Sequence, residues 1–215
     1  MRKWIALPFV LAAMVAVVVA ACPVQADGSI SGRAGRAELR FLQGMIDHHQ
    51  MALDMAEDCL AKTKTEALVK LCQGVIQAQS REIAQMQEWL KDWYQVEYKP
   101  MPMKVMMEKL GSDHGGFGGT YANQHGDHSG HGGMATAGDP PMMMGMFAGF
   151  SRLKGVEYEA AWLEAMIDHH DDALHMSQRI LNYAEHSALK ALAEAIIKSQ
   201  SEEIKLMEQM INAMK

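Results

Sequence analysis

The chain has 215 residues with 20 Lys and Arg against 26 Asp and Glu. A formal charge of −6 with no basic patch argues against a nucleic-acid partner. This length can bury a sizeable apolar core without disulfide or metal staples, yet 20 Met and 10 His exceed what core packing ordinarily uses.

Arg2 and Lys3 precede an apolar stretch from Trp4 to Ala21, and Val24-Gln25-Ala26 offers a small-residue cleavage site. Residues 1–26 therefore read as an export signal, whose removal leaves a mature chain of charge −8 in the periplasm or outside the cell. The stretch is short for a membrane span and contains Pro8, so no span is expected after cleavage. A second processing route runs through Val19-Ala20-Ala21-Cys22, which would make the protein a lipoprotein anchored to the membrane at Cys22.

Residues 33–98 read as a helical hairpin. Leu42, Met45, Ile46, His49, Ala52, Leu53, Ala56 and Leu60 recur at helical spacing, with Asp47, Asp54 and Asp58 opposite. After a polar break from Lys62 to Thr65, where either Thr can cap a helix, Leu68, Cys72, Val75, Ile76, Gln79, Ile83, Met86 and Leu90 continue the period. Cys59 and Cys72 flank this turn on core-side positions of antiparallel helices. In an oxidising compartment they are expected to pair, two free buried thiols being the alternative.

Residues 99–150 are rich in Gly and Met and contain Pro140-Pro141, which predicts a flexible connection with one short helical piece within Met101 to Leu110. Its His125, His128 and His131, with Met142, Met143, Met144 and Met146, could wrap a copper ion. A solvated spacer explains the Gly content equally well.

Residues 151–215 predict a second hairpin. Residues 41–90 align without a gap on 162–211, every pair 121 positions apart. Met45-Ile46-Asp47-His48-His49 matches Met166-Ile167-Asp168-His169-His170, and Gln79, Glu82 and Met86 match Gln200, Glu203 and Met207. The expected fold is all-α: one four-helix bundle of two duplicated hairpins stacked with pseudo-twofold symmetry.

On the first helix His49 falls mid-face, about 40° from Met45, whereas His48, Met51 and Met55 form a strip along the flank that both a facing helix and an incoming ion could reach. Met on an apolar face is ordinarily packing, and a lone core His is ordinarily satisfied by a hydrogen bond, here from Gln79. A His-His pair beside Met, repeated in both halves, fits packing poorly, because burying imidazole costs free energy that Leu would not. Thioether sulfur suits Cu(I), and imidazole suits both Cu(I) and Cu(II). A di-iron bundle needs inward acids, and near the inner face of the second helices only Glu82 and Glu203 recur. No nucleophile-base pair or phosphate loop is present, so no enzyme is expected.

Met45-Ile46-Asp47-His48-His49-Gln50-Met51-Ala52, with Gln79, Glu82 and Met86 downstream, resembles a bacterial family catalogued among domains of unknown function, whose copper-resistance members include the CopM type. The resemblance covers about residues 38–95 and 158–214, as two tandem copies. It implies a ferritin-like helical fold, export, and copper binding through Met and His. By that likeness the ligands would be Met45, His48, His49, Met51, Met55 and Met86, then Met166, His169, His170, Met176 and Met207. The second copy departs, with Asp172 in place of Met51 and His175 in place of Asp54; if Met51 is a ligand, the second site is harder and more tolerant of Cu(II) or loses affinity for Cu(I). The function expected is a non-enzymatic protein that sequesters copper or hands it to another copper-handling protein. A ferritin-like metal-dependent oxidoreductase and a metal-independent helical interaction protein are the rivals.

Overall fold

The two apolar periods on either side of the break at residue 63 become helices α1, Gly32–Lys62, and α2, Glu66–Tyr94. Their counterparts are α3, Gly155–Leu181, and α4, Ser187–Met214. The computed structural model describes residues 28–100, 102, 103, 105 and 149–214, and the described residues are all-α. The signal segment, Cys22, His125, His128, His131 and most of the connection lie outside the described residues. Among the described residues no helix is long and apolar enough to cross a membrane.

Helix α1 packs on α2, α3 on α4, and the two hairpins meet chiefly through α1 and α3. Polar cross-links give the direction. Near the end of α1, Trp162 Nε1 donates to the Met55 carbonyl at 2.8 Å and the Tyr158 hydroxyl to Asp58 at 2.8 Å, whereas near its start Arg33 donates to the Tyr183 hydroxyl at 3.3 Å. The two helices therefore run antiparallel and cross at His48 and His169.

That crossing separates two apolar clusters. One gathers Met51, Met55, Cys59 and Cys72 of the first hairpin with Tyr158, Trp162, Met166 and Met207 of the second. The other gathers Phe41, Met45, Met86, Trp89 and Trp93 with Ile180 and Leu189. Met103, helical as expected for that stretch, returns from the connection into the first cluster, and its N–H donates to Asp54.

Cys59 and Cys72 are joined by a disulfide across the α1–α2 turn, with Cα atoms 6.6 Å apart. Both are fully buried. Closing so short a loop restricts the unfolded chain by about 3 kcal/mol, so reduction is expected to lower the midpoint of denaturant unfolding without changing the helical signal at low denaturant. Coincident curves with and without reductant would contradict this.

The turns are held from across the bundle. Thr63 and Thr65, expected as caps of their own helix, instead donate their hydroxyls to the buried Glu159 of α3, at 2.5 Å and 2.8 Å. At the other end, Glu38 of α1 accepts from the backbone N–H groups of Glu185 and His186 at 2.7 and 3.1 Å, from His186 Nδ1 at 2.5 Å and from the Tyr94 hydroxyl at 2.5 Å. Glu38 and Glu159 stand 121 positions apart, so each hairpin fastens the other's turn with the same carboxylate.

A candidate metal centre in two related halves

Position 49 lies on the core side of α1, so the imidazole of His49 is carried inward and is 0 % exposed. Its Nε2 meets Glu82 Oε2 of α2 at 2.6 Å. The same pair recurs between His170 Nε2 and Glu203 Oε2 at 2.7 Å. Gln79, expected to satisfy His49, is buried but leaves its amide without a hydrogen-bond partner among the described residues. Glu82 prevails because a carboxylate at the core edge, 21 % exposed, accepts the imidazole proton strongly while its other surface stays hydrated.

When these imidazoles are neutral the carboxylate accepts the proton on Nε2, and Nδ1 of His49 and of His170 is then the nitrogen that carries the lone pair. Both Nδ1 atoms are buried without a hydrogen-bond partner among the described residues. This carboxylate–imidazole arrangement is the one that orients and strengthens a metal-binding histidine. Met45 is four residues before His49 on α1 and Met86 four residues after Glu82 on α2, and both are fully buried in one cluster. Met166 and Met207 bear the same relation to His170 and Glu203 and share the other cluster. Each half thus carries a carboxylate-bonded imidazole and two buried thioethers on the same pair of helices.

At His48 it is the facing helix that reaches the flank, and little of the ring is left to solvent. The residue is only 5 % exposed, and its ring lies 3.7 Å, centroid to centroid, from that of His169, because the flank of α1 is the surface that α3 covers. His169 Nε2 donates to the His48 carbonyl at 2.8 Å, which leaves its Nδ1 lone pair unpartnered among the described residues, as are both nitrogens of His48. Burial first, then the neighbouring His169, His49 and His170 imidazoles, hold His48 well below the usual histidine range. Burial and His170 push His169 down to about 3, against the opposing bond to the His48 carbonyl. Both are neutral at neutral pH, the form in which imidazole takes a metal.

The remaining candidates divide. Met51 and Met55 are buried with Met166 and Met207, so the first hairpin's thioethers adjoin the second hairpin's centre. Met176 packs against the cluster of Met45 and Met86, near Gly44, where an added Cβ would lie 3.5 Å from its methyl carbon. Asp172 is half-buried and His175 is exposed. Among the described residues no group of three or more His, Cys, Asp and Glu side chains is arranged to hold a metal ion. Sequence reasoning missed Glu38, Glu159 and His186. A signal was present, since Glu38 and Glu159 share the 121-residue offset and lie just outside the aligned stretch.

Fold and site together define an all-helical bundle with paired, carboxylate-oriented histidines in a thioether-rich core. The family described as a domain of unknown function, DUF305, matches residues 38–211, and the chain belongs to it. The fold is similar to that of CopM solved in its Cu(II)-bound form, at 29% identity and a TM-score of 0.55, covering 81% of this chain and 95% of that one. CopM in its Cu(I)-bound form is similar at 24% identity and a TM-score of 0.56, over 81% and 95% of the two chains. A DUF305 fragment from Deinococcus radiodurans is similar in fold at 24% identity and a TM-score of 0.57, over 82% and 95%. No curated protein matches the chain.

Proposed function

We propose that this is an exported, non-enzymatic copper-binding protein that sequesters copper or hands it on, through two tandem copies of one His/Met hairpin. The observation that carries this reading is the repeated buried imidazole: His49 and His170 each bury an Nδ1 without a hydrogen-bond partner among the described residues, their Nε2 atoms held by Glu82 and Glu203, in a core containing Met45, Met86, Met166 and Met207. Nitrogen with thioether sulfur is a donor set that suits copper and few other biological metals. The likeness to CopM, solved with both copper oxidation states, supports the same choice. Glu38 and Glu159 are committed to hydrogen bonds at opposite ends of the bundle, so the acids a di-iron oxidoreductase needs are not gathered among the described residues.

Elemental analysis of the mature protein after exposure to Cu(I), Cu(II), Zn and Fe tests the reading. Retained copper is expected. Retained iron with peroxide turnover would favour the oxidoreductase, and no retained metal would favour the interaction protein.

The connection is proposed to add Cu(II) capture through His125, His128 and His131. Deleting residues 111–138 removes those three with His114 and only Met134. Cu(II) capacity is expected to fall more than Cu(I) capacity, because imidazole accepts the divalent ion more readily than thioether does. Equal Cu(II) uptake by the shortened chain would reduce the segment to a spacer.

A further inference from the structure

Two buried amides take no part in the centres described above. Gln79 and Gln200 stand 121 positions apart, at 2 % and 3 % exposure. Neither the oxygen nor the nitrogen of the Gln79 amide has a hydrogen-bond partner among the described residues, and the Gln200 oxygen has none either. Gln79 takes its place in the row Cys72, Val75, Gln79, Ile83 and Met86, every member buried, so it points into the bundle. A buried amide with nothing to bond is costly, and a leucine would have filled the place without that cost.

Contacts between the helices set the height of each amide in the bundle. His49 opposite Glu82 and Cys59 opposite Cys72 put Gln79 of α2 opposite Ala52 of α1. His48 against His169 and Met55 against Trp162 put Ala52 level with Ala165 and, one residue on, Met166 of α3. His170 opposite Glu203 puts Met166 opposite Met207 of α4. Adjacent residues of a helix differ in height by about 1.5 Å, so Ala52, Gln79, Met166 and Met207 form one layer of the core, one residue from each helix. All four are buried, and Ala52, Met166 and Met207 share one apolar cluster. The same contacts assemble Met45, Met86, Ala173 and Gln200 into a second layer beyond the crossing, where Met45, Met86 and Ala173 share the other cluster. Each layer sets the amide of one hairpin against the two thioethers of the other, with only a methyl group from the fourth helix.

We infer that Gln79 and Gln200 are oxygen donors exchanged between the hairpins: the Gln79 amide completes the centre of His170, Met166 and Met207, and Gln200 that of His49, Met45 and Met86. The assignment rests on the copper reading above and adds a ligand class to it. An amide oxygen is a harder donor than thioether sulfur, and it can take a weak axial place on copper beside imidazole and sulfur. Thioethers favour the reduced ion and the amide oxygen serves the oxidised one, so each centre keeps its copper in both oxidation states. Neither centre is complete within its own hairpin.

The test uses the intact mature protein and Cu(II), with each centre isolated in turn. In His49→Leu, which leaves the second hairpin's centre, adding Gln79→Leu is expected to weaken Cu(II) binding about 10–100-fold and to change the electron paramagnetic resonance of the bound ion. Adding Gln200→Leu instead should change neither. In His170→Leu the two glutamines exchange roles. Without copper, Gln79→Leu in the native chain is expected to leave the denaturant midpoint level or raise it, because it removes an amide that bonds nothing among the described residues. A further readout needs no variant and holds even if one folds poorly. In the native chain the side-chain amide NMR signals of Gln79 and Gln200 are expected to shift on addition of Ag(I), while those of the exposed Gln77 and Gln209 stay in place. Effects that follow each glutamine's own hairpin, Cu(II) binding indifferent to both substitutions, or stationary Gln79 and Gln200 signals would each overturn the assignment and leave the copper reading standing. A native chain that retains no copper would overturn both.

Discussion

Replacing His49 and His170 together by Leu is expected to abolish tight copper binding in the bundle core while the protein stays folded. Each substitution removes a buried Nδ1 that has no hydrogen-bond partner among the described residues, and leaves that half two thioethers, which suit Cu(II) poorly, with His48 and His169 at the crossing as the remaining unpartnered imidazoles. Leu fills the space. Glu82 and Glu203, at 21% and 25% exposure, can rehydrate once their imidazoles are gone. The stability change should therefore stay within about 1.5 kcal/mol per site, well short of unfolding. Chelator competition reads the affinity and circular dichroism the fold. Undiminished affinity would remove both histidines as ligands. Glu82→Gln is a finer probe: it keeps the hydrogen bond's shape but not its charge, and should weaken copper about 10–100-fold without changing stoichiometry.

The largest loss of stability is expected from Glu38→Ala. That carboxylate is 0 % exposed and joins α1, the end of α2 and the start of α4 through Tyr94, two backbone N–H groups and His186. Removing it strands several buried donors at once, which should cost about 3–5 kcal/mol. Glu159→Ala should cost less, about 1–2 kcal/mol, because it loses two hydroxyl partners and no backbone N–H or imidazole. Burial works to raise the Glu38 carboxyl, but the bonds from Tyr94, the two backbone amides and His186 outweigh it and hold the group below its ordinary value of 4.5. A depressed folded value means that this contribution is fully present above pH 4.5 and is lost as the pH falls through the folded value. The variant should accordingly show a flatter decline of stability with acid than the native chain. Denaturant midpoints measured across that range decide it, and parallel curves would refute the assignment.

The helices, their pairing into hairpins and the bond between Cys59 and Cys72 could be read from spacing, because apolar period and antiparallel register are local properties. The partner of His49 could not. Gln79 and Glu82 are both near the inner edge of α2, three residues apart, and a projection of one helix does not say how far a carboxylate at the rim will reach inward. Whether the facing helix or solvent meets His48 could not be read for a related reason: a flank is solvent or interface according to where the second hairpin lands, and that is set by residues 121 positions away. Glu38 reads in isolation as an interruption of an apolar face. Only beside the α3–α4 turn does it become a group with four donors.

The antiparallel crossing at His48 and His169 brings equivalent positions of the two halves face to face, which is how identical subunits meet about a twofold axis. A free-standing hairpin of this kind would be an obligate dimer, its two ends chemically identical by symmetry. Joining the halves in one chain releases each end to change alone. Rings now stand at 89 and 93, sulfurs at 210 and 214, a disulfide at 59 and 72, and Ile180 with Ala193 where the second half would place its own cysteines. No mutation in a symmetric dimer can produce such polarity, since every change would appear at both ends.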